Sequence, residues 1–162
     1  FTSSTSVYGS ATGIVDELST PQPITPGGRQ LLEVERRLLS SFPQETIIIR
    51  LGGLLGSDRH PIYQLQQRSQ IDQASNPINL IHQTDAVAAL ISTIEHPKKK
   101  DCYNLVTPFH PTKVEYYTLL AKQWGMTLPN CVLSEVAPKK ISSQSYTTDY
   151  LFSFVVDKLL IE

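Results

Sequence analysis

Cysteine is scarce. Cys102 and Cys131 are the only two, far apart and without a CxxC pair. That excludes a disulfide framework or a thiolate metal knuckle, and it fits two reduced thiols in a cytoplasmic protein. No apolar run approaches the roughly 18 residues of a membrane span, and no signal peptide is visible. Neither sign of charge dominates, since a net charge of −1 leaves no global attraction to nucleic acid or an anionic membrane. His60, His82, His96 and His110 lack HxH or HExxH spacing, so no metal motif is predicted. Gly9-Ser10-Ala11-Thr12-Gly13 has alanine where a GxSxG nucleophile elbow needs serine. No GxGxxG occurs, and the single methionine is Met126, so residue 1 is expected to follow further sequence.

What remains is an ordinary composition, 40% hydrophobic and 18% charged over 162 residues, enough for one domain with a core. The opening residues, Phe1 to Gly9, read as a buried strand running into a loop, with hydroxyls at its carboxyl end. Open α/β sheets place their ligands there. Residues 10–26 read as an irregular loop punctuated by Gly13, Pro21, Pro23 and Pro26. Thr25 then Pro26 predicts an N-cap and a helix to about Ser41, with Leu31, Leu32, Val34, Leu38 and Leu39 as its apolar stripe. Glu33 and Arg37 are spaced for a solvent-side pair. Thr46 to Leu51 is a β-branched run without alternation, which suits a strand covered on both faces. Strand, helix and strand in this order predict a right-handed βαβ unit. Gly52, Gly53 and Gly56 then allow either a turn or close approach of a ligand.

Further on, a short helix is expected around Ile62 to Arg68 and an extended segment from Asn76 to His82. Thr84 or Asp85 should cap a helix with the stripe Val87, Leu90, Ile91 and Ile94, ended by Pro97 and a solvated run Lys98 to Lys100. Cys102 to Val106 reads as a third strand. Thr112-Lys113-Val114-Glu115 is a capping box, opening a helix with Val114, Tyr117, Leu120 and Trp124 on one face and Gly125 as its stop. Asn130 to Val136 reads as a further strand, and Lys140 to Phe154 as a terminal helix and tail.

The order of motifs carries a resemblance. Ser3-Ser4-Thr5-Ser6-Val7-Tyr8-Gly9, the proline-rich loop, a helix with Glu35, IIIRLGGLLGSDR, Asn79 to His82 with Asp85-Ala86-Val87, and Tyr103 to Val106 together resemble an extended short-chain dehydrogenase/reductase. The similarity is to the C-terminal two-thirds of the epimerase/dehydratase branch and covers nearly all 162 residues. It implies an α/β fold: a partial Rossmann-like parallel sheet with helices on its faces and a small α+β substrate lobe, as a single domain. The dinucleotide-binding N-terminal half is expected to precede residue 1.

The resemblance also implies a function, namely NAD(P)-dependent chemistry on a sugar nucleotide or similar polar metabolite. Ser4 matches the hydroxyl that contacts the substrate's reacting oxygen. Ser3, Leu51, Gly52 and Gly53 are expected on the cofactor side; Arg59, Asn79 and His82 are expected to face the substrate. From the residues alone, Arg59 fits a phosphate or carboxylate contact or an ion pair with Asp58 or a neighbouring acid, and His82 fits a tie between loop and helix. The family's tyrosine, four residues before a lysine, would support proton exchange through a lowered phenol pKa. Counted back from Glu35 those positions hold Gly27 and Leu31, and no tyrosine here has lysine four residues later. The expected cofactor is NAD or NADP in the full-length protein, with this stretch supplying only the nicotinamide-side wall or holding none. The alternative is a non-catalytic NAD(P)-sensing or interaction protein. Expected partners are a small-molecule substrate and, for the leading strand, a second copy or the preceding half, with no nucleic acid and no membrane.

Overall fold

The structure, a computed structural model, describes residues 1–56, 59–156 and 159. Strand β1 (Thr2–Ser4) is shorter than the sequence suggests. Ser4 caps a 3-10 turn over Thr5–Tyr8 by accepting the Ser6 amide, and this folds Val7 and Tyr8 inward to full burial. The loop that follows is not wholly irregular. It contains β2 (Gly13–Val15), paired in parallel with a strand more than 120 residues later, a contact that local composition does not encode.

Helix α1 (Pro26–Ser41) starts where capping chemistry places it, with the Thr25 hydroxyl accepting the Gly28 amide and Pro26 in the first turn. Its buried face is Gly28, Leu32 and Glu35. Val34, expected in the stripe, is 39% exposed, because the face is centred on the acid. Glu33 and Arg37 do pair across one turn, 2.7 Å apart.

Strand β3 (Ile48–Leu51) lies parallel beside β1, and Gly52 leads directly into β4 (Gly53–Leu55). Gly52 is required by packing: a Cβ there would stand 2.7 Å from the Asn79 carbonyl oxygen. The short helix is α2 (Pro61–Leu65), followed by β5 (Gln70–Ile71) and β6 (Leu80–His82), which pairs in parallel with β4.

Helix α3 (Gln83–Glu95) departs from expectation twice. Its cap is His82, whose Nδ1 accepts the Thr84 amide, not Thr84 or Asp85. Its buried face is Asp85, Ala86, Ala89 and Thr93, while Val87, Ile91 and Ile94 are exposed. The reason is steric. Tyr146 donates its phenol to the Ala89 carbonyl, so only small side chains fit beneath it.

Strand β7 (Cys102–Leu105) completes the central parallel sheet in the order β1-β3-β7. Helix α4 (Lys113–Trp124) has the full capping box of Thr112 with Glu115 and ends on left-handed Gly125. It buries Tyr116, Tyr117, Leu120 and Ala121, each large side chain worth roughly 1.5–3 kcal/mol. Strand β8 (Asn130–Cys131) is only two residues, pairing with β5, and Leu133 and Val136 beyond it are exposed. Strand β9 (Lys139–Ile141) pairs with β2, and α5 (Gln144–Tyr150) follows.

The outer edge of β7 is sealed by side chains. Glu17 accepts the Asn104 amide at 2.7 Å, and the Ser143 hydroxyl both accepts from the Val106 amide and donates to its carbonyl. The other edge, β1, pairs only with β3 among the described residues. No helix is long and apolar enough to cross a membrane among the described residues.

Candidate functional site at the carboxyl ends of the parallel strands

Parallel register brings the carboxyl ends of three strands level, since Ser4 lies beside Leu51, and Leu51 beside Leu105. A buried polar network holds that end in place. Ser3 donates to Glu35 at 2.5 Å, and Arg50 grips the same carboxylate, with Nη2 to Oε2 at 2.6 Å. Arg50 also donates from Nη1 to the Tyr8 phenol at 2.8 Å, and Tyr8 donates onward to Asn104. Helix α1 is thereby locked to β1, β3 and β7. Burial works against the Arg50 charge, but its hydrogen bonds to Glu35 hold its pKa above the ordinary value. Burial pushes the Tyr8 phenol up to about 12, with Arg50 opposing, so it stays a proton donor.

The expected site residues divide. Ser3 is buried and spends its hydroxyl on Glu35. Ser4 is half-buried and accepts the Ser6 amide at 3.1 Å, and its own hydroxyl proton has no acceptor among the described residues. Gly52 is closed over by the Asn79 backbone and the Val106 side chain. Gly53 is exposed and shares an open cavity of about 310 Å³ with Arg59, His60 and Tyr63. Asp58, the ion-pair partner weighed for Arg59, lies outside the described residues.

Asn79 points elsewhere. Its Nδ2 donates to the Lys139 carbonyl at 2.9 Å and its Oδ1 accepts the Ile141 amide at 2.8 Å, clamping β9 to the start of β6. It lines a different cavity from Arg59, and His82, occupied in capping α3, lines neither. The structure therefore brings Gly53 and Arg59 together and separates them from Asn79 and His82.

Two residues of the Arg59 cavity escaped sequence reasoning, His60 and Tyr63. His60 is 4% exposed; its Nδ1 accepts the Ile62 amide and its Nε2 faces the Tyr116 phenol at 3.1 Å. Tyr116 in turn donates to the Leu159 carbonyl, so Nε2 carries the proton toward Tyr116. Burial lowers the His60 pKa to about 4, and the ring is neutral at physiological pH. The signal available beforehand was His60-Pro61, a side-chain acceptor before proline, the arrangement of a helix start.

No family model matches the chain. It is 36% identical over 129 residues to Protein YeeZ of Escherichia coli K12, an alignment covering 80% of this chain and 47% of that protein. The chain spans about half the length of the curated relatives it matches. Among solved structures it is similar to UDP-glucuronic acid 4-epimerase from Bacillus cereus in complex with NAD, with a TM-score of 0.79 and 18% identity over 96% of this chain and 55% of that one. The dTDP-glucose 4,6-dehydratase from Bacillus anthracis in complex with NAD gives a TM-score of 0.76 and 16% identity, covering 97% of this chain and 57% of that one. The chain resembles NAD-dependent epimerase/dehydratase-type short-chain dehydrogenase/reductases, and over little more than half of those structures' length it has their Rossmann-type fold.

Proposed function

We propose that this chain is the substrate-side portion of an NAD(P)-dependent, epimerase/dehydratase-like protein that handles a sugar nucleotide or a similar polar metabolite. The observation that supports the reading is the hydroxyl of Ser4, half-buried at the carboxyl end of β1 with its proton uncommitted among the described residues, one strand from the open backbone of Gly53. In this reading a dinucleotide-binding half precedes residue 1 and covers the outer edge of β1, with a second copy of the chain as the other candidate.

Not every expected cofactor contact fits. Ser3 is committed to Glu35, and Gly52 is committed to close packing. Ser4, the backbone at Leu51 and Gly53 fit one wall of a nicotinamide site. When bound, the dinucleotide would supply hydride exchange. The chain's own part is to hold a hydroxyl donor at Ser4, anchored by the Ser3–Glu35–Arg50 network, against an oxygen of the substrate. Arg59 and Tyr63 would supply the charged and aromatic surface of the substrate cavity.

In this reading the positions of the family's Tyr–Lys pair fall at Gly27 and Leu31, which lie one turn apart on α1. This favours a second reading, a protein that binds NAD(P) without turnover. Calorimetric titration of the full-length protein with NAD and NADP, followed by product analysis after incubation with nucleotide sugars, separates the two. Binding with conversion supports the first reading and binding without conversion the second. No dinucleotide binding would refute both.

A further inference from the structure

Only alternate residues of β7 give their backbone to β3. The Ile48 amide donates to the Asp101 carbonyl and the Gly52 amide to the Leu105 carbonyl, so the amides of Asn104 and Val106 point the other way, toward the outer edge of the sheet. An edge of this kind is a template for another strand, and natural sheets keep it blocked. Here two side chains do so. Glu17 Oε1 accepts the Asn104 amide at 2.7 Å. The Ser143 hydroxyl takes both groups of Val106, accepting from its amide at 2.6 Å and donating to its carbonyl at 2.8 Å.

The parallel β2–β9 ribbon sets both side chains at one level. Val15 lies beside Ile141, and the Ser142 amide continues the pairing onto the Val15 carbonyl at 2.8 Å. Glu17 and Ser143 each stand two residues beyond that pair. Asp16 Oδ1 accepts the amides of Leu18 and Ser19, which closes a tight turn around Glu17. The second oxygen of Glu17 accepts the Ser145 hydroxyl at 3.0 Å, Lys100 stands 3.7 Å away, and the side chain is 5% exposed. The Asn104 carboxamide adds a bond to the Ser142 carbonyl. A carboxylate kept from water is costly unless its oxygens are hydrogen-bonded, and one of the donors here is the strand edge itself. An incoming strand would need the same amides and carbonyl, so it and the ribbon exclude one another.

We propose that the β2–β9 ribbon is an edge lock: Glu17 and Ser143 stand in for a further strand and keep the β7 of a second copy from pairing with this one. Of the two edges of the central sheet, only β1 then remains open to a pairing chain among the described residues. The lock needs neither dinucleotide nor substrate and is independent of the function proposed above.

The test is made on the full-length protein. Native-state amide exchange read by NMR comes first, because it needs no variant: the Asn104 and Val106 amides should exchange as slowly as those of Ile48 and Gly52, which pair inside the sheet. Glu17→Ala should speed exchange at Asn104 by about tenfold or more. Glu17→Gln, which keeps an oxygen acceptor, should leave it near the wild-type rate. In sedimentation velocity the double variant Glu17→Ala with Ser143→Ala should form a larger species than the wild type as concentration rises, with Asn104 and Val106 protected again in the associated form. Wild-type exchange at these two amides as fast as in an unstructured chain, or exchange at Asn104 unmoved by Glu17→Ala, overturns the proposal. So does a folded double variant that sediments as the wild type does at every concentration, or an associated form in which the two amides stay unprotected.

Discussion

Replacing Glu35 by alanine tests whether the buried network positions the strand end that bears Ser4. Glu35 and Arg50 have side chains 2% and 8% exposed, and the carboxylate also accepts from Ser3. Glu35→Ala leaves a guanidinium without its counter-charge in a site that water does not reach, and a buried hydroxyl loses its acceptor. Breaking a buried pair from one side costs about 3–5 kcal/mol. For a domain of this size each kcal/mol moves the midpoint by roughly 2–4 °C, so a fall on the order of 10 °C is expected. Urea unfolding followed by circular dichroism reads the same loss as a lower midpoint at unchanged slope. The double variant Glu35→Leu with Arg50→Met removes both charges and should recover most of the stability, because apolar replacement of a buried pair is often neutral. A Glu35→Ala cost below about 1 kcal/mol, or a double variant worse than the single one, would refute the reasoning.

The buried His60 predicts a pH dependence. Between pH 6.5 and about 4 the unfolded chain takes up a proton that the folded ring refuses, so stability falls as pH drops through that window, by as much as about 3 kcal/mol. His60→Gln should flatten the slope in a pH series of urea melts; an unchanged slope would assign it elsewhere. Gly52→Ala should destabilise by about 1–3 kcal/mol, since its Cβ meets a backbone carbonyl that cannot rotate away; a neutral thermal melt would show that the glycine serves something other than packing. Leu151 ends α5 with φ of 50° and is 89% exposed, so Leu151→Gly should raise the melting temperature by relieving about 1 kcal/mol of left-handed strain. The paired change Gly27→Tyr with Leu31→Lys places the missing tyrosine and lysine one turn apart on α1, and a Cβ at residue 27 meets nothing within 4 Å. If the proposed function holds, nicotinamide reduction monitored at 340 nm should rise above the parent's; no change would count against the assignment of Gly27 and Leu31 to those positions.

Local signals settled a good deal. Thr25-Pro26, the capping box at Thr112 and the stop at Gly125 are chemistry between near neighbours, so a helix end can be read wherever a side chain satisfies a backbone amide a few residues away. The run from Thr46 to Leu51 announced a strand covered on both faces because its apolar residues do not alternate. The order of these pieces also carried the likeness to epimerase/dehydratase folds, which the solved structures bear out at the level of the fold.

Other features depended on residues brought together from far apart. Which face of α3 is buried turned on Tyr146 filling the space above Ala89, more than 50 residues away, and the helical period alone fits either face. Ser3 and Ser4 look alike in the sequence, yet strand alternation buries one hydroxyl against Glu35 and leaves the proton of its neighbour uncommitted. Asn79 and Arg59 were expected on one surface and lie in separate cavities, while His60, Tyr63, Glu17 and Ser143 acquire their settings only when strands, helices and loops distant in the chain converge. Capping, periodicity and turn chemistry are short-range and were legible in the order of the amino acids. Burial of a particular hydroxyl, imidazole or carboxylate depends on what covers it, and that is decided by the tertiary structure alone.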